Sequence, residues 1–257
     1  MNKELLNRVS RLGLLFWIVK IFSTTVGETA ADFVSENLNL GLIITTILMG
    51  VITILVTIWN FKQKNYFPPS YWSLIVMMSI EGTLITDILV DKFSVSLLTL
   101  DIVFGIAMAL VFYFWYKKEQ SLSIHSVNND TRERFYWIIV LTTFALGTGV
   151  GDTVSEYLKV GYLNSLIIFG SVFILAGVLY YFKIINDVVA FWIAFIVTRP
   201  IGASLGDFFI QDLKDGGLGI SVAIINIIFF IVIIATVTYL TTKSSKPPKG
   251  QASPHET

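Results

Sequence analysis

Residues 17–36 read WIVKIFSTTVGETAADFVSE, and the spacing of tryptophan, glycine and aspartate in this segment returns three more times in the chain. In each copy a glycine stands ten residues after the tryptophan, a small residue follows four later, and the aspartate comes directly after it. The copies run from Trp17 to Asp32, from Trp72 to Asp87, from Trp137 to Asp152 and from Trp192 to Asp207. Their starts lie 55, 65 and 55 residues apart, which indicates a fourfold internal repeat.

Composition points to a membrane protein. Hydrophobic residues make up 54% of the chain and the mean hydropathy is +0.74, beyond the range of soluble domains. The net charge is zero, which argues against nucleic-acid binding, and there is no cysteine for a thiolate metal site. Both histidines lie in polar segments and no hydrolase motif occurs, so we expect the protein not to be an enzyme.

A membrane helix needs roughly 20 apolar residues, and eight segments meet that length. They are residues 13–35, 41–61, 71–90, 95–116, 134–157, 161–182, 188–210 and 218–241. Because each repeat contributes two helices, all copies run in the same direction. The sequence therefore predicts an all-α polytopic membrane protein with eight transmembrane helices, arranged as four parallel two-helix repeats in two pseudo-symmetric halves, 1–120 and 121–242. The tail, 243–257, is predicted to be a disordered cytoplasmic segment.

Lysine and arginine set the predicted orientation. Thirteen of them flank one side of the predicted helices and three flank the other, which places both termini in the cytoplasm.

Three segments also carry a family resemblance: TTVGETAAD at 24–32, LGTGVGD at 146–152 and TRPIGASLGD at 198–207. They resemble the bacterial uncharacterised membrane-anchored protein family, which is built from four tandem two-helix repeats with a marker tryptophan. The resemblance covers about residues 12–241 and implies an eight-helix protein of the bacterial inner membrane. It implies no activity. The second copy departs most, because Glu81 stands directly before Gly82.

The aspartates form the candidate site. Each lies fifteen residues after its tryptophan, about 22 Å along a helix, so the four should share one depth and face the bundle interior. An acid in the membrane indicates function by default. The tryptophans are predicted to be interface anchors at the lipid–water boundary: Trp17, Trp72, Trp137 and Trp192.

The glycine and the small residue after it form a pattern that lets membrane helices approach closely. The third copy, Gly147–Gly151, holds three glycines in five residues, and a local break of its helix is predicted there. Such a break would expose backbone carbonyls as cation ligands.

Charges within the predicted helices do not balance. We expect Arg199 to pair with Glu81 or Asp101, and Lys20 to extend its ammonium to the cytoplasmic surface. The remaining acids must then be protonated, hydrated or bound to cations.

The leading functional hypothesis is a transporter of a hard divalent cation, Mn2+ first and Mg2+ or Ca2+ after it, with no covalent cofactor. The predicted metal ligands are the carboxylates of Glu28, Asp32, Asp87, Asp152 and Asp207, with Thr25, Thr83 and Thr148 as hydroxyl ligands. One alternative is a proton-coupled carrier of a small organic solute, in which Arg199 binds an anionic group. Another is a membrane sensor or assembly protein. The lipid bilayer and the transported species are the expected partners.

Overall fold

The structure is a computed structural model that describes residues 7–244, and this part of the chain forms eight long helices. They are α1 (Leu14–Asp32), α2 (Leu42–Phe61), α3 (Pro68–Asp87), α4 (Leu97–Glu119), α5 (Asp130–Asp152), α6 (Tyr162–Tyr181), α7 (Asp187–Ile210) and α8 (Val222–Ser244). All eight are long and apolar enough to cross a membrane, which confirms the predicted fold class. Of the tail predicted to be disordered, Lys243 and Ser244 belong to α8, and residues 245–257 lie outside the described residues.

Side-chain caps fix where two of the repeat helices begin. The side chain of Asn129 accepts a hydrogen bond of 2.8 Å from the backbone nitrogen of Arg132, and Asn186 accepts one of 2.9 Å from Val189. Each satisfies a backbone donor that the first helical turn leaves free. Because of its cap, α5 begins at Asp130, before the predicted start at residue 134.

A single π-helical turn follows the repeated aspartate in the first three copies. The turns are Phe33–Asn37, Ile88–Lys92 and Thr153–Tyr157, and each starts one residue after its aspartate. Turns of this kind occur frequently at functional sites. In the fourth copy α7 continues as an α-helix to Ile210, so this copy differs from the others just past its aspartate.

The core is a closed ring of the four tryptophan-bearing helices. Helix α1 contacts α3, α3 contacts α5, α5 contacts α7, and α7 contacts α1. In the apolar windows of α1, α3, α5 and α7, 67%, 56%, 67% and 61% of residues are buried, against 11%, 6%, 22% and 22% in α2, α4, α6 and α8. The four repeated helices therefore supply the interior of the protein, and the other four surround it.

The repeated glycine lies where neighbouring core helices come closest. A Cβ atom added to Gly82 would lie 2.7 Å from Phe144 Cβ and 3.0 Å from the backbone nitrogen of Ala145. The same arrangement recurs around the ring: Gly27 lies against Ser79, Gly147 against Arg199 and Gly202 against Thr24. Each glycine thus meets the residue three positions before the next copy's glycine. The close approach expected of small residues is present at all four positions.

The outer helices follow the same cyclic rule. Helix α2 packs on α3, α4 on α5 and α6 on α7, and α8 packs on α1 to close the circle. Their outward faces expose isoleucines such as Ile43, Ile106, Ile174 and Ile234, which suits a lipid bilayer. The predicted halves, 1–120 and 121–242, therefore share one ring, because α4 packs across their boundary on α5.

The tryptophans lie inside one end of the ring, called here the Trp end. Trp72, Trp137 and Trp192 are 1%, 3% and 6% exposed, and Trp17 is half-buried. The prediction of interface anchors is wrong for the three buried ones. Fifteen residues make about four helical turns, so each tryptophan lies on nearly the same inward face as the aspartate of its copy. The aromatic residues that precede them join this cluster: Phe16, Tyr71, Tyr136 and Phe191.

The N-terminal segment covers the Trp end. The backbone nitrogen of Arg8 donates a 2.9 Å hydrogen bond to Val127, which ties this segment to the α4–α5 loop. Arg8 Nη1 lies 2.6 Å from carboxylate oxygens of both Asp130 and Glu133. Burial opposes the charge of Arg8, but hydrogen bonds to the two acids outweigh it and raise the pKa of the guanidinium. The bundle is thus closed at this end by a charged contact.

Candidate functional site

The repeated aspartates lie at the opposite end of the core helices, called here the Asp end. Asp32, Asp87 and Asp152 are the last residues of α1, α3 and α5, and Asp207 lies in the last turn of α7. Around the ring each interacts electrostatically with the next: Asp32 with Asp87, Asp87 with Asp152, Asp152 with Asp207, and Asp207 with Asp32. Within residues 7–244 none of the four carboxylates has a side-chain hydrogen bond or ion pair. The structure therefore brings the four predicted acids together as one layer.

One arginine crosses the ring on the inner side of this layer. Arg199 is fully buried; its Nη2 lies 2.6 Å from Glu28 Oε2, and its Nη1 donates a 3.0 Å bond to the carbonyl of Thr24. Nη2 also donates to the hydroxyl of Thr83 and, at 2.6 Å, to that of Thr148. A side chain of α7 thus joins α1, α3 and α5 at the centre of the ring.

The partner of Arg199 is Glu28, so the predicted pairing with Glu81 or Asp101 is wrong. Glu28 follows the repeated glycine directly, and this position points into the ring. Glu81 precedes its glycine and points away from the ring, toward Gly50 of α2. Its Oε2 is buried and has no hydrogen-bond partner among the described residues.

Asp101 lies on an outer helix, α4, and cannot reach the centre of the ring. It accepts a 2.6 Å hydrogen bond from the hydroxyl of Thr153 on the π-helical turn after α5. Gly149 makes room for it, because a Cβ there would lie 2.5 Å from Asp101 Oδ1.

The predicted break in the third copy is wrong. Helix α5 continues through Gly147–Gly151, and the missing side chains admit neighbouring residues instead of exposing carbonyls.

Two of the three predicted hydroxyl ligands lie at the centre of the ring, and the third does not. Thr83 and Thr148 contact Arg199 at the centre, as described above. Thr25 donates to the carbonyl of Ile21 in its own helix at 3.0 Å. The neighbouring Thr24 takes the central position instead, through its carbonyl oxygen.

Lys20 is fully buried in the core, which contradicts the predicted extension to the surface. Its Nζ lies 4.1 Å and 4.0 Å from the ring centroids of Phe144 and Phe195, and it has no hydrogen-bond partner among the described residues. Lys20 lies about one turn after Trp17, on the same inward face, where the aromatic rings offer a cation–π site.

The site is a stack of layers along the axis of the ring. From the Trp end these are the aromatic cluster, Lys20, the Arg199–Glu28 pair and the aspartates. Glu28 interacts electrostatically with all four aspartates, so the pair and the acid layer form one charged system. Oxygen donors of this kind suit hard cations. Within residues 7–244 no three acids come close enough to hold one metal ion directly, so a bound ion would keep part of its water shell.

The sequence interpretation missed the position three residues before the repeated glycine. In the four copies this position is Thr24, Ser79, Phe144 and Arg199. The last three each face the glycine of the preceding copy, and Thr24 faces the glycine of the fourth copy. Phe144 and Arg199 both build the central layers. Superposing the four copies on their glycines would have aligned these residues and shown that each is the neighbour of a close contact.

The comparisons agree with the repeat architecture. The sequence model of one protein family, described as a repeat of unknown function (DUF347), matches residues 15–66, 70–121, 135–184 and 190–245. Each match holds one core helix and the outer helix that follows it. No curated protein and no solved structure matches the chain. Because the four matches together span most of its length, the chain belongs to the DUF347 repeat family.

Proposed function

We propose that the protein is a transporter of a hard divalent cation, with Mn2+ first and Mg2+ or Ca2+ after it, in the bacterial inner membrane. The observation that carries this proposal is the closed layer of four aspartates, which have no side-chain partners within residues 7–244. An acid inside a membrane protein that no side chain binds directly is costly unless it has a use, and a passing cation would neutralise it.

The Arg199–Glu28 pair supports a gating role next to this layer. Arg199 already supplies a positive charge to the acids, since it acts on Asp32, Asp152 and Asp207. An arriving cation would compete with Arg199 for the carboxylates. The protein would then alternate between a state in which Arg199 neutralises the carboxylates and a state in which the cation does. The runner-up is a proton-coupled carrier of a small organic solute, in which Arg199 would bind an anionic group of the solute. It is less favoured because the guanidinium of Arg199 is already occupied by Glu28.

The test is ion flux in reconstituted vesicles. Purified protein is expected to move Mn2+, Mg2+ or Ca2+ across the vesicle membrane, and Asp207→Asn should lower the rate by roughly tenfold or more because it removes one charge of the layer. Asp212→Asn serves as the control, since Asp212 is exposed outside the helices, and should transport like the parent. Absence of flux for all three ions with the parent protein would refute the proposal and favour the organic-solute carrier.

Both termini are proposed to lie in the cytoplasm, so that the Asp end faces outward. The bias of lysine and arginine toward the loops of the Trp end supports this orientation. A reporter that is active only outside the cytoplasmic membrane is expected to stay inactive when fused after Thr257. The same reporter placed in the loop between α7 and α8, at Asp212, should be active; the opposite pattern would reverse the orientation.

A further inference from the structure

Lys20 is a buried base that the proposed cation path has not yet used. It lies on the Trp-end side of Arg199, is 0% exposed, and its ammonium rests between the rings of Phe144 and Phe195. Among the described residues it has no hydrogen-bond partner. An apolar side chain would fill this position equally well, so the amino group of Lys20 is not explained by packing.

Among residues 7–244 no acid forms an ion pair or a hydrogen bond with Lys20. Helix α1 packs on α3, α7 and α8, and Lys20 also reaches α5 through Phe144. The titratable or charged groups on the embedded stretches of these helices include Glu28 on α1, Tyr71 and Glu81 on α3, Tyr136 on α5, Arg199 on α7 and Tyr239 on α8. Within the described chain only Arg199 acts on Lys20 electrostatically, and it has the same sign.

The surroundings suit both states of the lysine. The aromatic faces stabilise the ammonium through cation–π contacts, whereas the apolar surroundings offer the charge no hydrogen-bond partner among the described residues. Lysine is a base that changes its protonation readily when buried, and an arginine is not. Lys20 can therefore hold or release a proton while it keeps its contacts with the rings of Phe144 and Phe195.

We propose that Lys20 is the residue that exchanges a proton for the transported cation. The proposal rests on the transport function above. When a cation enters the aspartate layer, it weakens the hold of Glu28 on Arg199 and adds positive charge on the axis. One N–H bond of the Lys20 ammonium then breaks, the electron pair stays on nitrogen, and a water molecule that reaches the amine from the Trp end accepts the proton. When the cation, having entered from the Trp end, leaves at the Asp end, the amine takes up a proton from water on that side, so the cation and the proton cross the protein in opposite directions.

The test measures protons released on cation binding. Parent protein in weakly buffered detergent is titrated with Mn2+, and a pH indicator reports the release, with Mg2+ and Ca2+ tested in the same way. Lys20→Met is expected to release about one proton fewer per cation than the parent, while its affinity stays within about threefold. In vesicles, cation flux through Lys20→Met should proceed without the opposite movement of protons. Lys20→Arg, which keeps a fixed charge, should slow the flux about tenfold or more.

Two further variants keep the outcome clear. Lys118→Met removes an exposed lysine at the end of α4 and should release as many protons as the parent. Lys20→Gln replaces the methionine variant if that protein does not fold, with the same expected loss of one proton. Equal proton release by parent and Lys20 variants, with cation flux intact, would overturn the role of Lys20 alone. If the parent neither binds nor moves any of the three ions, the transport function itself fails, and this inference fails with it.

Discussion

Glu28→Gln is expected to destabilise the protein by about 3–5 kcal/mol, because Arg199 would keep its charge in a buried position without a carboxylate partner. The substitution keeps the shape of the side chain, so the loss reports the charge. The measurement is the free energy of unfolding in mixed micelles. Glu36→Gln is the matched control, since Glu36 is exposed just beyond the aspartate layer, and its stability should remain within about 0.5 kcal/mol of the parent.

A double variant separates charge from packing at the same place. Glu28→Gln combined with Arg199→Met removes both charges and should recover a large part of the lost stability, as for other buried pairs replaced by apolar residues. Stabilities that simply add would show that the two side chains do not act on each other. In vesicles, Glu28→Gln should also stop cation flux, since the link between Arg199 and the aspartates would be lost.

Gly82→Ala has the second large expected effect, a destabilisation of about 3 kcal/mol or more, at the upper end of overpacking. The new methyl group would lie 2.7 Å from Phe144 Cβ and 3.0 Å from the backbone nitrogen of Ala145, so a whole helix must move. The free energy of unfolding of the purified variant measures this effect.

The control is Gly177→Ala on the outer helix α6, where no described atom lies within 4 Å of the added Cβ. There the better helix propensity of alanine should stabilise the protein by up to about 1 kcal/mol. Equal stabilities of the two alanine variants would mean that α3 and α5 do not pack closely against each other at Gly82.

The eight helices and the aspartate layer could be predicted because they depend on properties that each copy carries along its own length. A long apolar run must span the membrane, and equal spacing on parallel helices gives equal depth. The common depth of the four aspartates could therefore be predicted without knowing which helices are neighbours.

The contacts of the charged residues could not be predicted in this way. Whether Arg199 meets Glu28 or Glu81 depends on the rotation of α7 and α3 about their own axes, and that rotation is set by close packing at the glycines. The burial of Lys20 depends on rings from two other helices, Phe144 and Phe195. A single helix examined alone favours extension to the surface, since nothing in its own sequence offers the ammonium a partner.

The tryptophans illustrate the same limit. Position near a helix end is typical of interface anchors, and all four tryptophans lie in the first turns of their core helices. Their direction follows from the ring, where Trp72, Trp137 and Trp192 fill the space between neighbouring core helices.

The cyclic packing, in which α8 closes on α1, has a consequence for what one chain can do that separate copies cannot. Four identical two-helix subunits could close by the same rule, but symmetry would then force every residue on the axis to occur four times. Four copies of Glu28 would repel one another, and so would four of Arg199 or of Lys20. Because the copies are fused in one chain, each can differ at the axis while the contacts that join them stay alike. One acid, Glu28, and two bases, Arg199 and Lys20, can then lie near the axis. A pseudo-symmetric ring of helices thereby encloses an asymmetric charged site.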